Sequence, residues 1–188
     1  MSLPLVHSVH FYHRDEALIA RLQKIVVTAL ASGNSAVVVA TKEHRAQLAS
    51  ALRDAGSQIE KLAGERLQMF DAEQALGKFM VDGHPSDKRF LEFVDKLLDD
   101  ARRAATNERS GVTVFGEMVA ILWSEGNKVG ALELERLWND SLHDRAFHLH
   151  CAYPRWILQD GSDTLLLKSI CDEHSLVLGH AQQLRLSA

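Results

Sequence analysis

The chain has no segment approaching the ~20 consecutive apolar residues that a membrane-spanning helix needs, so no such helix is expected. Cysteine is scarce: Cys151 and Cys171 are the only two, with neither CxxC spacing nor a disulfide framework. Basic charge is lacking as well. The formal net charge is -4 with ten histidines taken as neutral, and the densest basic pair, Arg102-Arg103, lies among acids. Such a surface has no field to gather phosphates, so no direct nucleic-acid contact is expected. The start, Met1-Ser2-Leu3-Pro4-Leu5-Val6-His7, has no basic residue before an apolar stretch and does not read as a signal peptide. Together these absences point to a reduced, cytoplasmic protein with no membrane association.

What is present is ordinary globular material: 188 residues, 46% hydrophobic and 24% charged, enough for one core without staples. Ser8 to Tyr12 reads as a strand. A helix follows, which Asp15 is placed to cap, with Leu18, Leu22, Ile25, Val26, Ala29 and Leu30 at helical spacing, closed by Gly33-Asn34. Ala36-Val37-Val38-Val39-Ala40 is a continuous β-branched run of the kind buried on both faces. Thr41 is placed to cap the next helix, which Gly56 closes. Further strands are expected at Leu67–Phe70, Val112–Phe115, Phe147–Tyr153 and Leu176–Leu178. The helices between them lie near Ala72–Met80, then, after a break at Gly83-His84-Pro85, from Ser86 or Asp87 onward with a buried stripe from Phe90 to Ala101, at Glu117–Ser124, around Leu134–Trp138 and at Thr164–Glu173. Pro154 is expected to stop pairing of the late strand. The alternation predicts one three-layer α/β domain over residues 1–188, core about 8–178, with a mainly parallel sheet and helices on both faces. Ligands of such sheets bind beyond the strands' carboxyl ends. That rule selects His13-Arg14, Thr41-Lys42, Asp71-Ala72, Gly116-Glu117 and Tyr153-Pro154.

No phosphate-binding loop follows the first strand. Its place is taken by His13-Arg14-Asp15-Glu16, which offers no glycine to open backbone N–H groups and two acids that repel a triphosphate. Gly77-Lys78 precedes Phe79 inside a helix and does not restore the motif, and neither GxGxxG nor GxSxG occurs. Catalysis is not expected, and no cofactor is implied.

Metal ligation can be weighed from spacing. His148 and His150 share one face of a strand while Cys151 points the other way, and Cys171 and His174 share a helical face. A buried small cysteine and a helix-end histidine explain these residues more simply, so no metal site is expected. Glu117 follows a small residue at a strand end; its simplest role is to charge the first turn of the next helix. Glu135 lies on the same helical side as Trp138 and Asn139, either leaning toward a ligand or solvated at the helix edge.

Several segments occur together in order: Val9-His10-Phe11-Tyr12, Val114-Phe115-Gly116-Glu117-Met118 leading to Leu122-Trp123 and Gly126, Leu134-Glu135-Arg136-Leu137-Trp138-Asn139, Cys151-Ala152-Tyr153-Pro154, and Ile170-Cys171 through His174-Ser175. This set resembles the MEDS family, sensory domains of methanogens, methylotrophs and a dichloromethane-responsive regulator. The resemblance implies a RecA-like scaffold, a degenerate relative of RecA-like and circadian-clock ATPases without a functional P-loop. It also implies signal transduction through a small, hydrocarbon-derived ligand. Relatives are joined to histidine kinase, response or DNA-binding modules; here the expected partner is a separate histidine kinase of a two-component system or a transcription regulator. His10, Tyr12, Glu117, Trp123 and Tyr153 lie on the shared segments and are the ligand-binding candidates.

Two alternatives stay open. One is a ligand-free protein–protein interaction domain, anti-sigma-type or homo-oligomeric, which an exposed apolar patch would favour. The other is an enzyme, which would need convergent groups with perturbed pKa values in one cleft.

Overall fold

The computed structural model describes residues 6–56, 64, 66–106, 111–158 and 164–179. Residues 1–5, on which the signal-peptide reading turns, and the end of the chain after 179 lie outside the described residues. In chain order the elements are β1 (His7–Tyr12), α1 (Asp15–Ala31), β2 (Ser35–Ala40), α2 (Lys42–Asp54), β3 (Leu67–Asp71), α3 (Ala72–Phe79), β4 (Met80–Val81) and β5 (His84–Pro85). There follow α4 (Asp87–Ala104), β6 (Val112–Gly116), α5 (Met118–Ser124), α6 (Lys128–Arg145), β7 (His148–Pro154), a 3-10 turn (Arg155–Leu158), α7 (Thr164–Asp172) and β8 (Leu176–Leu178).

Six strands pair in the order β3-β2-β6-β7-β1-β8, every pair parallel. The two-residue period of the strands sorts side chains to two faces. Val9, Phe11, Val37, Val39, Val114, Leu149, Cys151 and Tyr153 join the larger core with residues of α3 to α7. Tyr12, Ala36, Val38, Ala40, Phe115 and Ala152 join a second core with α1 and α2. The result is the expected three-layer α/β domain. Val37 to Ala40 are all at most 1% exposed, as a β-branched run in a strand covered on both faces requires.

Local differences from the sequence reading have local causes. Asp15 is the first residue of α1 rather than its cap; Arg14 occupies the cap position with no side-chain hydrogen bond. Pro154 does not end the strand before itself but pairs in register with Tyr12 as the last residue of β7, where the missing N–H costs least. The break at Gly83-His84-Pro85 is a small antiparallel hairpin of β4 and β5. Asp82 and Gly83 supply the two positive φ values, 49° and 83°, that a tight two-residue turn needs.

No helix among the described residues is long and apolar enough to cross a membrane.

Candidate functional site

The helices that follow β1 and β2 lie on one face of the sheet, and those that follow β6 and β7 on the other. Neighbouring strands whose outgoing helices diverge in this way open a crevice at their carboxyl ends. The order β2-β6-β7-β1 gives such a divergence at β2/β6 and again at β7/β1. A cleft of about 290 Å³ spans both points, lined among others by Tyr12, Asp15, Thr41, Glu117, Pro154 and Trp156.

Glu117 organises its floor. The Glu117 N–H donates to the Val39 carbonyl at 3.0 Å, which extends the β2–β6 pairing by one residue. The side chain then turns toward β2: Oε2 accepts the Thr41 N–H at 3.0 Å, and Oε1 lies 2.5 Å from His44 Nδ1. Thr41 caps α2 as expected, its hydroxyl accepting the His44 N–H at 3.2 Å, and that cap turns the first-turn histidine back toward the rim. Glu117 therefore does more than charge its own helix: it stands at the cap position of α5 and makes no capping bond there.

His44 Nε2 is 3.5 Å from Asp15 Oδ1. The hydrogen bond to Glu117 raises the His44 pKa above its ordinary value against the opposing effect of burial, with the Glu117 and Asp15 charges adding to the rise. Burial, and after it the Glu117 and Asp15 charges, push the Tyr12 phenol well up, so its hydroxyl stays protonated. The cleft thus presents carboxylate acceptors and a phenol against an apolar wall of Ala120, Ile121, Pro154 and Trp156. Trp156 is 55% exposed, a large indole left uncovered at the mouth.

Of the five ligand-binding candidates, the structure brings Tyr12 and Glu117 into this cleft. His10 lies two residues behind Tyr12 on the same face, their rings 6.3 Å apart. Its Nδ1 is buried without a hydrogen-bond partner among the described residues, and burial, with Arg21 nearby, lowers its pKa. Trp123 and Tyr153 lie in the core on the other side of the sheet, edge to face at 6.1 Å. Asp71, at the end of β3, caps α3 and binds Arg45 at 2.6 Å instead.

Tyr153 belongs to a second polar group. Its hydroxyl donates to Glu135 Oε1 at 3.0 Å, and Glu135 is fully buried on α6, not at a solvated helix edge. Around the other oxygen, Oε2, stand His7 Nε2 at 3.4 Å, His174 Nε2 at 3.5 Å and Cys151 Sγ at 3.5 Å. Burial alone would raise the Glu135 carboxyl, but His174, His7 and the Tyr153 hydroxyl outweigh it and hold the group below its usual value. Burial, reinforced by Glu135, pushes the Cys151 thiol well up, which makes it a poor nucleophile.

The face assignments of the strand residues hold. His148 and His150 lie away from Cys151, beside Arg21 and Lys24 in an open groove of about 450 Å³ under α1. Ser8 Oγ is 2.6 Å from His150 Nδ1, and burial, with the Arg21 charge next, pushes the His150 imidazole down to about 4. His44, Asp15 and Trp156 in the cleft, and His7 in the buried group, were not among the expected site residues. For His44 a signal existed in the Thr41 cap, which fixes the direction of the residue three places on.

The domain is a parallel α/β fold with a polar, part-apolar cleft at its divergent strand ends, the place where open α/β sheets in general bind ligands. Residues 6–168 match the family model MEDS, described as "MEthanogen/methylotroph, DcmR Sensory domain", and the chain belongs to that family. The family is one of sensory domains, so the role is sensing and signal transduction. No curated protein matches the chain, and no solved structure does.

Proposed function

We propose that this chain is a cytoplasmic, non-catalytic sensory domain that takes a small, partly apolar molecule in the rim cleft and passes the signal to a partner such as a histidine kinase or transcription regulator. The observation that carries the reading is the Glu117 carboxylate, 3% exposed and shared between the Thr41 N–H and His44 at the floor of a cleft with one apolar wall. Carboxylates accept and do not donate, so the fitting ligand carries a hydrogen-bond donor: a short alcohol or amine, or another hydrocarbon derivative bearing one. Anions are disfavoured by Glu117 and Asp15 together. A cleft of about 290 Å³ lies at the small end of ligand pockets and suits a small molecule.

Signalling needs a difference in affinity between two states. Glu117 sits at the start of α5 and holds the start of α2. A ligand donor that takes one of its oxygens loosens α2 from β6, and a partner resting on α2 reads the change. A scaffold shared with RecA-like ATPases agrees with the parallel sheet. In that case His10-Phe11-Tyr12-His13-Arg14 stands where a nucleotide-holding strand and loop would be.

The test is thermal unfolding against a panel of short alcohols and amines. A saturable rise in Tm is expected, weakened in Glu117→Gln and Tyr12→Phe variants that fold normally. Unchanged binding in both variants would place the ligand elsewhere. Turnover of ATP well above background, lost on Glu117→Gln, would instead make the domain an enzyme.

A further inference from the structure

His7, Glu135, Cys151 and His174 come from β1, α6, β7 and the turn after α7, and all four are buried. One ligand-type atom from each lies within 4.8 Å of the other three. A zinc-type ion bound by N, O and S at about 2.0–2.3 Å would set its tetrahedral ligands about 3.3–3.6 Å apart. Four of the six edges already have that length: His7 Nε2 to Glu135 Oε2 at 3.4 Å, His174 Nε2 to Glu135 Oε2 at 3.5 Å, Cys151 Sγ to Glu135 Oε2 at 3.5 Å, and Cys151 Sγ to His7 Nε2 at 3.5 Å.

The surrounding hydrogen bonds fix which nitrogen of each imidazole is free. Asn139 uses its Nδ2 to donate to the Glu173 carbonyl and carboxylate, each at 2.7 Å, so its Oδ1 is the acceptor that faces His7 Nδ1 at 2.7 Å. His7 must therefore donate from Nδ1, which leaves the Nε2 lone pair directed at the centre. His174 Nδ1 lies 2.6 Å from the Ile170 carbonyl, which can only accept, so its Nε2 is free in the same way. That Nε2 is buried and finds no hydrogen-bond partner among the described residues. An outer acceptor on the far ring nitrogen of each histidine is the arrangement that orients metal-ligating imidazoles, and the Tyr153 hydroxyl does the same for Glu135.

We propose that His7, Glu135, Cys151 and His174 form a binding site for a zinc-class divalent cation. All four positions of a tetrahedron are filled by protein and none opens to solvent, so the ion is structural or regulatory rather than catalytic. It would tie the α7–β8 end of the chain to β1, β7 and α6. Three of the ligands lie within the family-matched residues; His174 lies beyond them. The site lies in the core beneath α6 and α7, with His7 at the amino end of β1, whereas the Glu117 cleft lies at the strands' carboxyl ends; it does not depend on the sensory reading.

The test uses the full chain, stripped with a chelator and titrated with Zn²⁺ and then with Co²⁺. One ion per chain is expected. The Co²⁺ form should show a thiolate charge-transfer band and intense tetrahedral d–d bands, and Zn²⁺ should raise Tm in proportion to the logarithm of its excess over Kd. Cys151→Ser should abolish the charge-transfer band. Asn139→Ala should weaken Zn²⁺ about 10–100-fold through the orientation of His7, and Cys171→Ser should change neither. Substoichiometric metal, or a Co²⁺ spectrum without the thiolate band, would overturn the proposal on the wild-type chain alone, whether or not the variants fold. A band that survives Cys151→Ser or vanishes in Cys171→Ser would overturn it as well.

Discussion

His44 and Glu117, 73 positions apart in the chain, meet at 2.5 Å across the crevice between β2 and β6. The contact joins the helix that leaves β2 on one face of the sheet to the strand end whose helix leaves on the other. Removing the carboxylate strips acceptors from both His44 and the Thr41 N–H. Glu117→Ala is expected to cost about 1–3 kcal/mol, the usual cost of buried polar groups left unsatisfied. Glu117→Gln retains an acceptor and should cost less. Urea unfolding of the three proteins at fixed pH measures the difference.

The same pair sets a pH dependence of known sign. The Glu117 hydrogen bond, against burial and with Asp15 adding, raises His44 above the unfolded value of about 6.5. A raised histidine stabilises the fold fully below that unfolded value, and the contribution is lost as pH climbs through the higher folded pKa. The charged or titratable groups facing it are Glu117, Asp15 and Tyr12. Tyr12 stays protonated across the range, because its phenol is pushed well up. The stability difference between wild type and His44→Gln should therefore be largest near pH 6 and shrink toward pH 9. A difference that grows with pH would mean that the pair is not charge-assisted.

Trp156 separates binding from folding. It is 55% exposed, so Trp156→Ala should change stability by no more than about 0.5 kcal/mol. It also walls the cleft, so the same change should weaken the response to short alcohols or amines several-fold. Calorimetry on the variant and wild type gives both quantities.

Gly179 has no room for a side chain. At φ +85° an added Cβ would lie 2.3 Å from the Phe11 carbonyl oxygen, a backbone atom that cannot turn aside. Gly179→Ala should cost more than about 1 kcal/mol and act locally, loosening β8 from β1. Amide exchange at Val177 and Leu178 should rise while exchange in β2 and β6 stays unchanged.

Much of the fold was legible because its causes are local. The Ala36–Ala40 run, the helical spacing from Leu18 to Leu30 and the stripe from Phe90 to Ala101 each carry their own period. The carboxyl-end rule then found Thr41, Glu117, His13 and Pro154 without further information. His44 was missed because the Thr41 cap places it in the first turn of α2, but only the contact with Glu117, 73 positions away, holds its side chain at the rim. The buried quartet was illegible for a different reason. Residues 7, 135, 151 and 174 share no spacing, and only strand order, with β1 beside β7, brings them together. Spacing instead groups His148 with His150 and Cys171 with His174, and sends Cys151 to the strand face away from both strand histidines.

The central claim is that a small donor-bearing molecule is sensed at Glu117. The most direct measurement is a ¹H–¹⁵N spectrum of the labelled chain titrated with the short alcohols and amines of the panel. Saturable shifts are expected at the Thr41 and His44 amides and the Trp156 indole N–H, and saturation should need a higher concentration in Glu117→Gln. Saturable shifts confined to residues away from these, or none with any of the panel, would contradict it.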